Sequence, residues 1–319
     1  KIKHKTDIKL VNVNNFKCDK ASINIFCSTF NNILLDYAKT NILLPSQTSF
    51  NKEWLKYIHN CDLVLCKTKY IETLFQNYMP RNKLKYINWR SSDMKNSQSK
   101  NFNKYLLYCS DMEHTDYTKI IDNWDTSYPQ LNIINGHLIE KQKQQDNLIY
   151  HTNINESDFQ NIFNECGIHI CLNRIDNFSH NINQACLAKS IPLLLNAEPM
   201  PEIINDEIAF LINSNKKTKL KKYMGNKYDY DVDELRDIFS VSDGSNLVDN
   251  NQDQMLSGNS VDQLIGKKKR VDEFKLDSSP NFKQPDEIIN FWAKEGDSIL
   301  ISQDKFGVSD PSFAIAKKK

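Results

Sequence analysis

The sequence predicts an α/β protein made of two parallel sheets, each wound with helices and each forming its own domain. Three observations carry that expectation. Apolar runs of strand length recur between Ile8 and Ile212. Segments with apolar side chains at helical spacing separate many of them. A polar stretch, SDMKNSQSKNFN (residues 92–103), divides the runs into two series. Strands alternating with helices belong to parallel sheets, whose strands are buried on both faces and so read as continuous apolar runs. A chain of 319 residues has room for two such domains.

The first series contains strand candidates at Ile8–Val13, Ile23–Ser28, Asn41–Pro45, Asp62–Lys67 and Leu84–Asn88. Glu53–Asn60 and Lys69–Tyr78 place Leu, Ile and aromatic residues at helical spacing. Residues 1–100 are expected to form the first domain. The Ser/Asn-rich stretch 92–103 reads as a linker. The second series runs over Tyr105–Cys109, Leu131–Ile134, Asn147–His151, Ile168–Leu172, Ile191–Leu195 and Ile208–Ile212. Helices are expected near Asp116–Asp125, Glu156–Cys166, His180–Lys189 and Pro199–Asn205, within a second domain spanning 104–240. Ligands of such sheets bind at the carboxyl ends of the strands.

After Ser240 the character changes. Residues 241–287 are polar, are broken by Gly and Pro, and contain KKKR at Lys267–Arg270. That run reads either as a localisation or anion-binding patch or as solvated linker. An apolar segment around Ile289–Trp292 and a strand candidate at Ser298–Ser302 follow. The pattern assigns this tail, 241–319, to neither domain and predicts that it contributes little to a ligand site.

Composition narrows the function classes. Lys and Arg number 41 against 40 Asp and Glu, a net charge of +1, which offers no broad footprint for nucleic acid or an anionic membrane. Most of the eight cysteines lie in or beside apolar runs such as LVLC and IHIC, which favours buried free thiols over disulfides. The C-x4-C pairs Cys61/Cys66 and Cys166/Cys171 lack the spacing and second ligand pair of a zinc site, so no metal is expected. No stretch approaches the roughly 18 apolar residues that span a bilayer. The polar opening has no signal-peptide core. A soluble protein in a reducing, cytoplasmic compartment is the expectation.

The most informative segment is Ile168–Ile204, IHICLNRIDNFSHNINQACLAKSIPLLLNAEPMPEII. It reads strand, loop, helix, strand, loop, helix. Ser179 is placed to cap the helix beginning at His180. A helix start at the end of a parallel strand presents free N–H groups to an anion. Gln184 falls one turn after His180 on the same face. This stretch resembles the donor-sugar half of retaining GT-B glycosyltransferases, family-4-like, in a branch of large DNA viruses and algae that carries "CPS-x-x-EGFGHYINEA" and then "PPMNE". Cys171, Phe178, His180, Ile182, Asn183 and Ala185 match the first motif; Pro199, Met200 and Glu202 match the second. Upstream, Leu65, Cys66, Lys67 and Thr68 match the branch's "LCKT", and Trp124 matches the helix that opens its second domain. The resemblance covers about residues 20–215.

The resemblance implies two Rossmann-like domains facing a cleft. It implies sugar transfer from a nucleotide-sugar donor to a glycan, protein or lipid acceptor, with retention and no bound metal; the charge balance already argued against a nucleic-acid partner. The branch's Glu-x7-Glu pair maps onto Asp176 and Gln184, so Asp176 is the candidate catalytic carboxylate. Ser110, His114, Thr115, Ser179, His180, Asn183, Gln184 and Met200 are the candidate donor contacts. Gln184 keeps an acceptor oxygen but not the charge. Thr115, with His114 beside it, stands where the branch has a phosphate-binding base, and Ser110 where it has a glycine. The branch's N-terminal glycine-rich loop has no counterpart, which predicts a first domain beginning one β/α unit late. These departures leave a second implication, a catalytically impaired relative that binds a nucleotide sugar or glycan, or partners an active enzyme. Plain readings stay open beside these: Asp176 as a turn residue, His180 facing solvent, Pro199 and Met200 as helix-start packing, Cys171 and Cys186 as core.

Overall fold

The computed structural model describes residues 7–14, 17–87, 89, 91, 98–109, 116–134, 143–176, 178–204, 209–240 and 298–303. In chain order the first series forms β1 (Asp7–Asn12), β2 (Ala21–Cys27), β3 (Ala38–Leu44), β4 (Leu63–Cys66), α1 (Lys69–Phe75) and β5 (Leu84–Tyr86). The second forms β6 (Asn101–Tyr108), α2 (Tyr117–Asp122), β7 (Gln130–Ile134), β8 (Leu148–His151), α3 (Glu156–Glu165) and β9 (Cys166–Cys171). It continues through α4 (His180–Leu187), β10 (Ile191–Asn196), α5 (Met200–Ile203), β11 (Phe210–Lys219), β12 (Asn226–Tyr230) and α6 (Val232–Ser240), and the chain's last described element is β13 (Ser298–Gln303).

Two sheets result. The first has the order β1-β13-β2-β3-β4-β5 and is parallel throughout. The second has the order β12-β11-β10-β9-β6-β7-β8, parallel except for the β11–β12 pair. The continuous apolar runs have the meaning expected of them. Ile23, Ile25, Ile42, Leu44, Leu63 and Leu65 pack on one face of the first sheet. Their alternates Phe26, Leu43 and Val64 pack on the other. Seven of the eight cysteines are buried, Cys18 is half-buried, and all are free thiols.

The sequence left the tail unplaced, with a strand candidate at Ser298–Ser302, and Ser298–Gln303 takes a place in the first sheet. β13 lies between β1 and β2, pairing Asp7↔Ser298 through Asn12↔Gln303 on one side and Ile299↔Ile23 through Ser302↔Phe26 on the other. Ile299 and Ile301 join one core face and Leu300 the other, while Ser302 Oγ donates to Asn24 Oδ1 at 2.8 Å. Strand pairing across such a distance leaves no local trace, so periodicity recognises the strand but not its partners. Residues 241–297 and 304–319, including Lys267–Arg270 and Ile289–Trp292, lie outside the described residues.

Other boundaries moved for local reasons. The helix expected over Glu53–Asn60 is two 3-10 turns, Lys52–Lys56 and Ile58–Asn60, in a segment too short to sustain an α-helix by itself. β6 begins inside the predicted linker, at Asn101. There Phe102 lies against Gly167, where a Cβ would come within 2.5 Å of its ring, so the close approach depends on glycine. β12 and α6 were not anticipated. Lysine and tyrosine hide the alternation in β12. In α6, Leu235 and Phe239 are buried one turn apart, and Phe239 packs on Trp124 with ring centroids 4.4 Å apart. No helix among the described residues is long and apolar enough to cross a membrane.

Candidate functional site

The carboxyl end of β9 feeds the loop that leads into α4, and Asp176 organises it. Its Oδ1 accepts from the backbone N–H of Phe178 at 3.1 Å and of Ser179 at 2.8 Å, while Oδ2 accepts from the Asn173 amide at 2.7 Å. A carboxylate bound in this way closes a turn just before the helix. Ser179 was expected to cap α4 with its hydroxyl. It occupies the N-cap position at φ 51°, ψ 83°, and its Oγ makes no cap hydrogen bond. That hydroxyl is buried without a partner.

Three more candidate residues lie on α4. His180 Nδ1 is 2.8 Å from Ser91 Oγ, and its ring meets the Phe178 ring edge-on at 5.3 Å. The Asn183 amide donates to Ser179 O at 3.1 Å, folding back over the helix start. Gln184 is 7% exposed, and its side-chain amide makes no hydrogen bond among the described residues. Met200 packs with Cys171, Ile182, Cys186 and Leu194, as part of an apolar cluster. Ser110, His114 and Thr115 lie outside the described residues.

The opposite wall comes from the first sheet, where Gln47, Lys67 and Trp89 follow the adjacent parallel strands β3, β4 and β5. The Gln47 amide donates to Asp176 O, while its own Oε1 is buried without a partner. Lys67 is buried with its ammonium 5.2 Å from the centre of the Trp89 ring, and the indole Nε1 is a second buried group without a partner. Phe178 crosses the cleft to pack in the cluster that contains Trp89, Leu44 and Leu65. Glu202, from the second motif, accepts from Tyr70 N at 3.1 Å and so meets the start of α1 in the other domain. Burial pushes the Glu202 carboxyl up, while hydrogen bonds from Tyr70, Lys69 and Thr68 pull it down.

The structure therefore brings Asp176, Ser179, His180 and Gln184 to one edge of the second domain and sets the first domain against it. Sequence reasoning assigned no role to Gln47, Trp89 or Ser91. Lys67 was part of a matched motif without being given a role. Gln47 Oε1, Trp89 Nε1 and Ser179 Oγ are buried polar atoms left unpaired at this seam. Each costs about 1–3 kcal/mol if nothing pairs it. Among the described residues no group of three His, Cys, Asp or Glu is placed to hold a metal ion.

No protein-family model matches the chain, and no curated protein matches it in sequence. Solved structures match it in fold. TarM aligns with a TM-score of 0.53 at 10% identity over 81% of this chain, which spans about half (51%) of the TarM chain. HepE (Alr3699) from Anabaena, in complex with UDP-glucose, aligns with a TM-score of 0.50 at 13% identity over 69% of this chain and 68% of its own. Its complex with UDP gives the same TM-score at 14% identity. Identity at this level speaks for architecture alone: two Rossmann-like domains about a cleft, the GT-B fold.

Proposed function

We propose that this chain is a GT-B glycosyltransferase that moves a sugar, with retention and without a bound metal, from a nucleotide-sugar donor to a glycan, protein or lipid acceptor. The observation that carries the reading is Gln184, a residue 7% exposed whose amide is not among the fully buried unpaired groups and makes no hydrogen bond among the described residues, one turn into the helix that opens at the carboxyl end of a parallel strand. An amide in a mostly buried residue, still open to solvent and not engaged within the protein, can meet ligand hydroxyls. The GT-B fold and the match to a structure holding UDP-glucose make a nucleotide sugar the reasonable occupant.

In this reading the amide of Gln184 receives ribose hydroxyls, and the N-terminal end of α4 faces the diphosphate. Chemistry then rests on holding the anomeric carbon against the acceptor and stabilising the leaving diphosphate. Asp176 serves as a positioning residue, because its carboxylate holds the loop that sets the start of α4. That same engagement favours a second reading, binding of the nucleotide sugar without transfer, since the candidate catalytic carboxylate is occupied within its own loop.

Calorimetric titration with UDP-glucose and other nucleoside diphosphate sugars, followed by an assay for released nucleotide, tests both readings. Binding with turnover supports the transferase. Binding without turnover, whatever acceptor is supplied, leaves the second reading. If no nucleotide sugar binds, both fall.

A further inference from the structure

β11 pairs with β10 only as far as Asn213 and then continues with β12 as a two-stranded ribbon. The two strands and their turn, Phe210–Tyr230, contain six lysines and one carboxylate, Asp229, which stands opposite Lys216 in the ladder and is paired with Arg174. Lys216, Lys217, Lys219, Lys221 and Lys222 are exposed, and among the described residues only Lys217 of these has a carboxylate partner, Glu198 at 3.0 Å. The ribbon's end is fixed against the first domain. Lys52 N donates to Lys222 O at 3.0 Å, Asn51 bridges Tyr223, and the Asn226 amide donates to the Tyr70 hydroxyl at 2.9 Å. Met224, 5% exposed, is buried in the first domain's core cluster. Gly225, at φ +83°, makes the turn beside Gln47. Lys56, exposed on the neighbouring 3-10 turn, lies over Tyr57, and Lys222 lies over Tyr223. Glu53 is the carboxylate on that same turn.

A net charge of +1 thus conceals a local concentration of positive charge on a ribbon held at both ends. We propose that this lysine-rich ribbon face, with Lys56, is a docking surface for a bilayer containing anionic lipid. Unneutralised lysines on a fixed scaffold lose little side-chain and backbone freedom beyond their own rotamers when they meet a charged surface. The ribbon contains no arginine, so it lacks the planar fork suited to bidentate recognition of single phosphates. Lysine point charges suit the diffuse field of a lipid surface. The partly exposed Tyr57, Tyr223 and Leu220 supply the amphipathic side chains that sit at a headgroup boundary. The proposal is independent of donor chemistry.

Co-sedimentation of the full chain with phosphatidylcholine vesicles, with and without phosphatidylglycerol, tests it. The chain is expected to bind the phosphatidylglycerol vesicles, to ignore pure phosphatidylcholine, and to release at high salt. The triple substitution Lys219→Glu, Lys221→Glu, Lys222→Glu is expected to weaken partitioning by about tenfold or more. Lys20→Glu, Lys39→Glu, Lys85→Glu makes the same change in net charge at exposed positions elsewhere and is expected to retain most binding. Circular dichroism and melting of both variants confirm that they fold. The proposal is overturned if both triples lose binding equally, if phosphatidylcholine binds as well, or if vesicles fail to bind. Binding of single-stranded nucleic acid at the ribbon, with no binding of vesicles, would assign the surface to a different partner and also overturn it.

Discussion

Ser91 and His180 meet across the cleft, Oγ to Nδ1 at 2.8 Å, so the first residue of α4 in one domain is tied to the segment that leaves the sheet of the other. Gln47 on Asp176 and Phe178 in the first domain's core act at the same seam. The position of α4 is therefore set by both domains. A double-mutant cycle with Ser91→Ala and His180→Ala should show a coupling of about 0.5–1.5 kcal/mol in urea unfolding. Strict additivity would mean the pair is not formed in solution.

Gln184 offers an amide where a carboxylate would hold ribose hydroxyls more strongly. Gln184→Glu should tighten nucleotide-sugar binding by about 1 kcal/mol, on the order of fivefold, and Gln184→Ala should weaken it by a similar amount. Calorimetry on the three proteins decides this. If all three bind alike, Gln184 does not touch the nucleotide.

Asp176 separates positioning from catalysis. Asp176→Ala removes the acceptor of two backbone N–H groups and should cost about 1–3 kcal/mol of stability. Asp176→Asn keeps an acceptor oxygen and should cost clearly less, with turnover largely preserved. A stable Asn variant with no turnover would make the charge itself catalytic.

Leu300, 1% exposed, packs in the first domain's core from a strand paired on both sides. Leu300→Ala should lower stability by about 2–5 kcal/mol. Hydrogen exchange should then rise most in β1 and β2, because β1 is bonded to the sheet through β13. Unchanged protection in β1 would show that β13 does not hold it.

His169 gives a pH signature. Desolvation, then the nearby Lys100 charge, pushes its imidazole down to about 3, so the folded state keeps it neutral. In the unfolded chain it protonates near its ordinary value of about 6.5. Between those values the unfolded state binds the extra proton, so stability falls as pH drops from about 6.5 towards 3. The slope from this group is about 1.4 kcal/mol per pH unit. Above pH 6.5 the group contributes no slope. Urea unfolding of wild type and His169→Gln from pH 7.5 to 5 should show that part of the slope vanish in the variant. Parallel curves would place the acid sensitivity elsewhere.

By itself the sequence determined most of the strands and helices and the mainly parallel character of both sheets. Those follow from local rules: a strand buried on both faces must be apolar at successive positions, as Phe26, Leu43 and Val64 are beside Ile25, Ile42 and Leu63. It also marked the strand-to-helix passage around His180, because a turn residue ahead of a helical repeat is a local signal. What only the tertiary structure decided is which distant pieces meet. Ser302 finds Asn24, Gln47 finds Asp176, and Met224 enters the first domain's core. The carboxylate of Asp176, read from the motif as a candidate reacting group, accepts from two backbone N–H groups of its own loop, and only the fold shows that the ribbon's turn rests on the first domain. Pairing energies between residues far apart in sequence depend on register and burial, and neither is written in the residues that flank each partner.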